Sequence, residues 1–178
     1  LRRSRLLVQL NRHEEGLNVS DDPREKLYDL IDDIEIAMLT TIDGSGTPHT
    51  RPMANKKADE GGAIWFFTEK SGSAAQDIEA NPKVTLGYAS SGAYVAVSGQ
   101  GETVDDRDLI NALWTEDVKA WFPKGKTDPN LILLKVEPDL GEYWTFPSAP
   151  VSKAIGYVKA KLTGEPADDI GENKRVAL

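Results

Sequence analysis

Arg51, Lys56 and Lys57 stand close together in the sequence, and Thr68, Lys70, Ser71 and Ser73 follow directly on the aromatic run Trp65-Phe66-Phe67. These are the residue types that hold an anion. A guanidinium grips phosphate through two parallel N–H donors. A strand-to-helix junction adds free backbone N–H groups and a favourable dipole, and hydroxyls supply further donors. One reading is therefore a phosphate site with a flat ring lying against Phe67. The plainer reading is that the cations are solvated and the hydroxyls cap a helix, and residue types alone leave both open.

Other chemistries find less support. The chain has no cysteine, which removes disulfides, thiolate metal sites and a thiol nucleophile. His13 and His49 lie far apart and form no metal-ligand spacing, so each is expected at the surface and no metal is expected. No glycine-flanked serine nucleophile and no glycine-rich phosphate loop after a strand is present. No general acid or base can be named. A formal charge of -8 disfavours polyanionic nucleic acid and anionic membranes, although a local cationic pocket is compatible with it. Trp65, Trp121 and Trp144 are expected in the core.

The elements that must position these groups follow from local pattern. Asp21-Asp22-Pro23 reads as a helix start, and Leu27, Leu30, Ile31 and Ile34 mark one apolar helical face. Ile36–Ile42 and Thr47–Met53 read as a hairpin around Asp43-Gly44-Ser45-Gly46. Ala63–Thr68 is the most apolar strand candidate, and Ser71–Ala80 a short helix stopped by Asn81-Pro82. Val84–Ala89, Tyr94–Val104, Leu131–Val136 and Glu142–Phe146 read as strands. Asp105–Trp121 and Val151–Leu162 carry helical spacing.

The length of 178 residues suits one domain. Residues 1–20 form a basic extension, 21–165 the domain and 166–178 a polar tail. Arg2, Arg3 and Arg5 precede an apolar stretch that ends at Gln9, too short for a secretory signal, and no run spans a bilayer. A soluble, cytoplasmic protein is expected. The fold class expected is mainly β (α+β), an antiparallel barrel with peripheral helices.

Met38-Leu39-Thr40-Thr41, Asp43-Gly44 and Pro48-His49-Thr50-Arg51-Pro52-Met53-Ala54 resemble the bacterial general stress proteins of the pyridoxamine-phosphate-oxidase-like family. Trp65-Phe66-Phe67-Thr68, Lys119-Ala120-Trp121-Phe122-Pro123, Asp128-Pro129-Asn130-Leu131 and Glu142-Tyr143-Trp144 continue the likeness, as does Gly156 to Gly164. The likeness runs in order over residues 22 to 178. It implies a split barrel binding FMN or FAD, as a homodimer with flavin sites at the subunit interface. It further implies that Arg51 and Lys56, with Met53 between them, sit beside the flavin and its phosphate. Phe67 and Thr68 would line the ring and Trp144 would approach from the partner subunit; Ser71, Ser73 and Lys70, read from residue type alone, would make up for missing phosphate contacts.

Two departures bear on function. Where the oxidases carry Ser-Arg-Lys after the Phe-Thr strand, this chain has Gly72, Ser73 and Ala74, so two cations are missing. Each lost phosphate contact costs about 1.5–3 kcal/mol unless replaced. The oxidases also carry an Arg- and His-containing segment after the Trp motif, whereas Thr145–Ile155 contains neither residue, so vitamin B6 oxidation is not expected. The leading expectation is a flavin-binding stress protein that passes electrons from a reduced pyridine nucleotide to a small acceptor. The alternatives are a flavin-binding or storage module without turnover, and a barrel without cofactor that acts through protein contacts. Deazaflavin stays open, and haem is disfavoured by the histidine positions.

Overall fold

The computed structural model describes residues 22–56, 62–146 and 171–178. The Asp22 carboxylate accepts the N–H of Arg24, and Pro23 opens helix α1 (Pro23–Ile34) where a missing N–H goes unneeded. Leu27 and Ile31, one turn apart, are fully buried. Glu35 ends the helix with a φ of 63°, uncommon for a residue with a side chain, and turns the chain into β1 (Ile36–Ile42). The Asp43 carboxylate accepts the N–H groups of Ser45 and Thr47, which fixes the turn into β2 (Pro48–Lys56).

The remaining elements are β3 (Ile64–Glu69), α2 (Ser73–Ala80), β4 (Lys83–Ala89), β5 (Ala93–Val104) and α3 (Arg107–Leu113). A 3-10 segment, Glu116–Ala120, and strands β6 (Leu131–Thr145) and β7 (Glu172–Ala177) follow. The sheet runs β3-β2-β1-β4-β5-β6-β7, and β3 also pairs with β6, so six strands close into the expected antiparallel split barrel with peripheral helices. The closure is uneven. Strands β1 and β2 pair along their whole length, but among the described residues β2 and β3 pair only through Asn55–Phe66 and Lys56–Trp65. That seam is where the candidate site opens.

Alternation builds two cores on the two faces of β3. Phe66 points into the barrel with Leu39, Leu86, Val97 and Leu134, where α1 and α2 add Leu27, Ile31, Ala74 and Ile78. Trp65 and Phe67 point outward and pack with Leu131, Leu133, Ile110 and Val118. A strand buried on both faces needs an unbroken apolar run, which is what residues 63–67 supply.

Three segments differ from the local reading. Leu131–Val136 and Glu142–Thr145 belong to one strand, β6, with a bulge at Asp139 where the register shifts between Ser98 and Gly99, and Phe146 lies just past its end. Pro138 cannot complete a ladder and is tolerated at the bulge, and a Cβ on Gly99 would come within 2.2 Å of the Glu137 carbonyl oxygen. The helical spacing of Asp105–Trp121 resolves into α3 and the 3-10 segment, separated by extended Trp114 and Thr115. There the packing of Trp114, Val118 and Phe122 on the outer core outweighs helical propensity. The segment read as a polar tail contains β7, which pairs with the second half of β6. Lys26 and Tyr143 both bond the Glu172 carboxylate, and Val176 and Leu178 pack on the core. Val151–Leu162 lies outside the described residues.

Candidate functional site

The splayed seam leaves a cleft of about 170 Å³ lined by Ile36, Pro52, Met53, Ala54, Lys56 and Phe67, with Val118, Trp121 and Phe122 on its far wall. Phe67 forms an aromatic floor, its ring 5.7 Å from Trp114 in an edge contact and 6.3 Å from Phe122. Trp121 stands at the cleft with 77% of its surface exposed, which corrects its expected place in the core. A large aromatic left in water beside an apolar cleft is a surface that a flat ring can cover.

Lys56 brings charge to this cleft. Its Nζ lies 6.0 Å from the Phe67 centroid and donates to Thr115 Oγ1 at 2.8 Å and Asp117 Oδ2 at 3.2 Å. The Thr115 hydroxyl, and then Lys56, hold the Asp117 carboxyl below its ordinary value. A second hollow of about 320 Å³ shares Ile36, Ala54, Lys56 and Asp117 with the cleft and adds Asp32, Glu35 and Asn55. The Asn55 side-chain oxygen is buried there without a hydrogen-bond donor.

Arg51 is elsewhere. Alternation along β2 turns it, with Met53 and His49, away from the face that carries Pro52 and Ala54. Its Nη1 donates to Thr41 Oγ1 and its Nη2 to Asp77 Oδ2, each at 2.9 Å. The Thr41 hydroxyl donates to the same Asp77 oxygen at 2.6 Å, and His49 Nδ1 lies 3.7 Å from it. His49 itself is exposed and lies 3.4 Å from Asp43 through Nε2. Burial raises the Asp77 carboxyl, but the hydrogen bonds from Thr41 and Arg51 and the nearby positive charge outweigh it and hold the group below its ordinary value.

The other expected residues divide similarly. Thr68 is buried within β3 opposite Ile132. Ser71 precedes α2 instead of opening it: its N–H donates to Asn130 Oδ1 at 3.1 Å and its Oγ accepts from Asn130 Nδ2 at 3.1 Å. Ser73 opens α2 and is exposed. Trp144 is half-buried on β6 beside Tyr94, not among the residues that line the cleft, and outside the core expected for it. The fold thus gathers Met53, Lys56 and Phe67 and separates Arg51, Thr68, Ser71, Ser73 and Trp144 from them. Sequence reasoning did not single out Asp77, Thr41, Asp117 or Phe122 as site residues. A helix carboxylate carries no local sign that a strand arginine will face it, although the motif Trp121-Phe122-Pro123 was a signal for the far wall.

Among the described residues no helix is long and apolar enough to cross a membrane. The family profile described as pyridoxamine 5'-phosphate oxidase like matches residues 22–168. General stress protein 26 of Bacillus subtilis is 35% identical over 123 residues, which are 66% of this chain and 85% of that protein. The crystal structure of a general stress protein 26 from Jannaschia sp. CCS1 superposes with a TM-score of 0.68 at 29% identity, covering 86% of this chain and 97% of that one. A general stress FMN/FAD binding protein from Xanthomonas citri gives a TM-score of 0.62 at 32% identity, covering 71% and 90%. Barrel, seam and sequence agree, and this chain belongs to the pyridoxamine 5'-phosphate oxidase-like family.

Proposed function

We propose that this general-stress-type barrel binds a flavin, FMN or FAD, in the cleft at the β2–β3 seam. The observation that carries this is the convergence of Phe67, Met53 and Lys56 on one cleft with Trp121 exposed at its wall. The residues fit the ring end of the ligand: an apolar floor, an aromatic wall and one cation. When bound, the flavin would supply one- or two-electron transfer. Lys56 would stabilise negative charge on a reduced ring, and Phe67 and Trp121 would orient the ring and keep water from its faces. The name of the Xanthomonas citri relative, an FMN/FAD binding protein, supports the choice of ligand.

We further propose that the working form is a homodimer. The outer sheet face carries Ile36, Met38 and Tyr94 with nearly half their surfaces exposed, and Phe146 beside Tyr94. The row Pro52–Met38–Gly87–Ala96 crosses four strands without a charge, in a chain that is 28% charged. Ile36, Pro52 and Ala54 belong both to this face and to the cleft, so a second copy seated on the sheet would wall the cleft and bring a partner Trp144 towards it.

Fluorescence titration tests both statements. Saturable quenching of FMN or FAD at one flavin per subunit is expected, in a protein that light scattering reports as a dimer. Met38→Glu should yield monomers and weaken quenching together. No quenching by either flavin sinks the cofactor assignment. Reduction of the bound flavin by NADH or NADPH would establish a reductase, and its absence a binding or storage module. The paired cations at Arg51 and Lys56, with Gly72 and Ala74 carrying no charge, favour a third reading, a cofactor-free interaction module.

A further inference from the structure

Three of the cations expected to meet a phosphate already face a carboxylate each: Arg51 with Asp77, Lys56 with Asp117 and Lys70 with Asp105. The three pairs are not equivalent. The Asp117 and Asp105 side chains are 75% and 45% exposed, so water can take over from their lysines when a ligand arrives. The Asp77 side chain is only 8% exposed, so water is far less able to take over from Arg51 there. Arg51, Thr41 and Asp77 close a three-way ring in which both terminal guanidinium nitrogens are used. Each gives one N–H to the ring, and together they form one of the guanidinium edges that can grip two phosphate oxygens. Asp77 also lies four residues after Ser73 on α2, so the carboxylate shares a face with the hydroxyl expected to meet the phosphate.

We propose that Asp77 is a specificity-determining residue: it occupies Arg51 from inside the fold and sets this end of the site against a phosphate dianion. The consequence, which rests on the flavin reading above, is a ligand recognised by its ring. The chain then takes riboflavin and FMN with similar affinity, where a site with a free arginine would strongly favour FMN.

Two measurements on the full chain decide it. The side-chain Nε–Hε resonance of Arg51 is followed by NMR while inorganic phosphate is added through the millimolar range. It should stay in place in the wild type and move saturably in Asp77→Asn, which keeps the shape of the residue and removes its charge. Asp77→Ser serves if Asp77→Asn does not fold. A resonance that moves in the wild type, or in neither protein, overturns the proposal. In parallel, the FMN-to-riboflavin affinity ratio should be within about threefold in the wild type and rise at least about tenfold in Asp77→Asn, the scale of one charge-assisted hydrogen-bond pair. A fall in FMN affinity in Asp77→Asn would show instead that the carboxylate positions Arg51 for phosphate. If neither flavin binds either protein, the flavin reading fails while the phosphate titration still decides the role of Asp77.

Discussion

The proposed cleft and the Arg51 ring, the end expected to hold phosphate, are built on opposite principles. At the β2–β3 seam the cleft is open, apolar and floored by Phe67, and its cation Lys56 is paired with an exposed carboxylate. At the α2 end the Arg51–Asp77–Thr41 ring is closed and internally satisfied. The first region has unmet capacity for a ring, whereas the second has met its own needs. Charge of the right sign near a cleft is therefore a poor guide to ligand chemistry until its partner is known, because a buried carboxylate competes far better than an exposed one.

Four experiments break or sharpen that contrast. Phe67→Ala should cost the most, about 3–5 kcal/mol of unfolding free energy, because it leaves a hole where the outer core meets the cleft. Chemical denaturation measures it, and a loss under about 1 kcal/mol would mean the floor is not packed as described. Arg51→Ala should cost about 2–4 kcal/mol, since it strands a buried carboxylate. Lys56→Ala, made in parallel, should leave the midpoint of thermal unfolding within error, because Asp117 faces water. Equal losses in these two variants would erase the distinction between the ends.

The third experiment uses pH. The folded Asp77 carboxyl lies below its ordinary value, so its contribution is fully present above about pH 4. It is lost as pH falls through the depressed folded value. Stability should therefore fall as pH drops below about 4, and part of that fall should be missing in Asp77→Asn. Glu172, held low chiefly by Lys26 and then by Tyr143 against the cost of burial, acts in the same direction. Glu172→Gln should remove a separate part of the acid loss. The smallest stability effect belongs to Trp121→Ala, within about 0.5 kcal/mol for so exposed a side chain, combined with a severalfold loss of flavin quenching. Unchanged quenching would place the ring elsewhere.

Much of the barrel was legible locally. Asp22-Pro23 starts α1, Asp43 to Gly46 turns β1 into β2, and Asn81-Pro82 stops α2 because each acts on backbone only a few residues away. The failures are informative. Glu137-Pro138-Asp139 looks like a break between strands and is a bulge inside one, since β5 supplies the matching Gly99. Glu172–Ala177 has almost no apolar signal and still pairs as a strand, because β6 offers it an edge and α1 offers Lys26 to its glutamate.

The site divides along the same line. The sequence by itself determined the residue types: an aromatic strand, an arginine and a lysine five residues apart, and two positions at the start of α2 without the expected charge. Even a strict strand period says that Arg51 and Lys56 face opposite sides. Only the tertiary structure decided that Lys56 meets Phe67 at an open seam while Arg51 meets Asp77 in a closed one. Pairing across 26 residues of chain depends on how α2 lies against β1 and β2, and no local propensity records that.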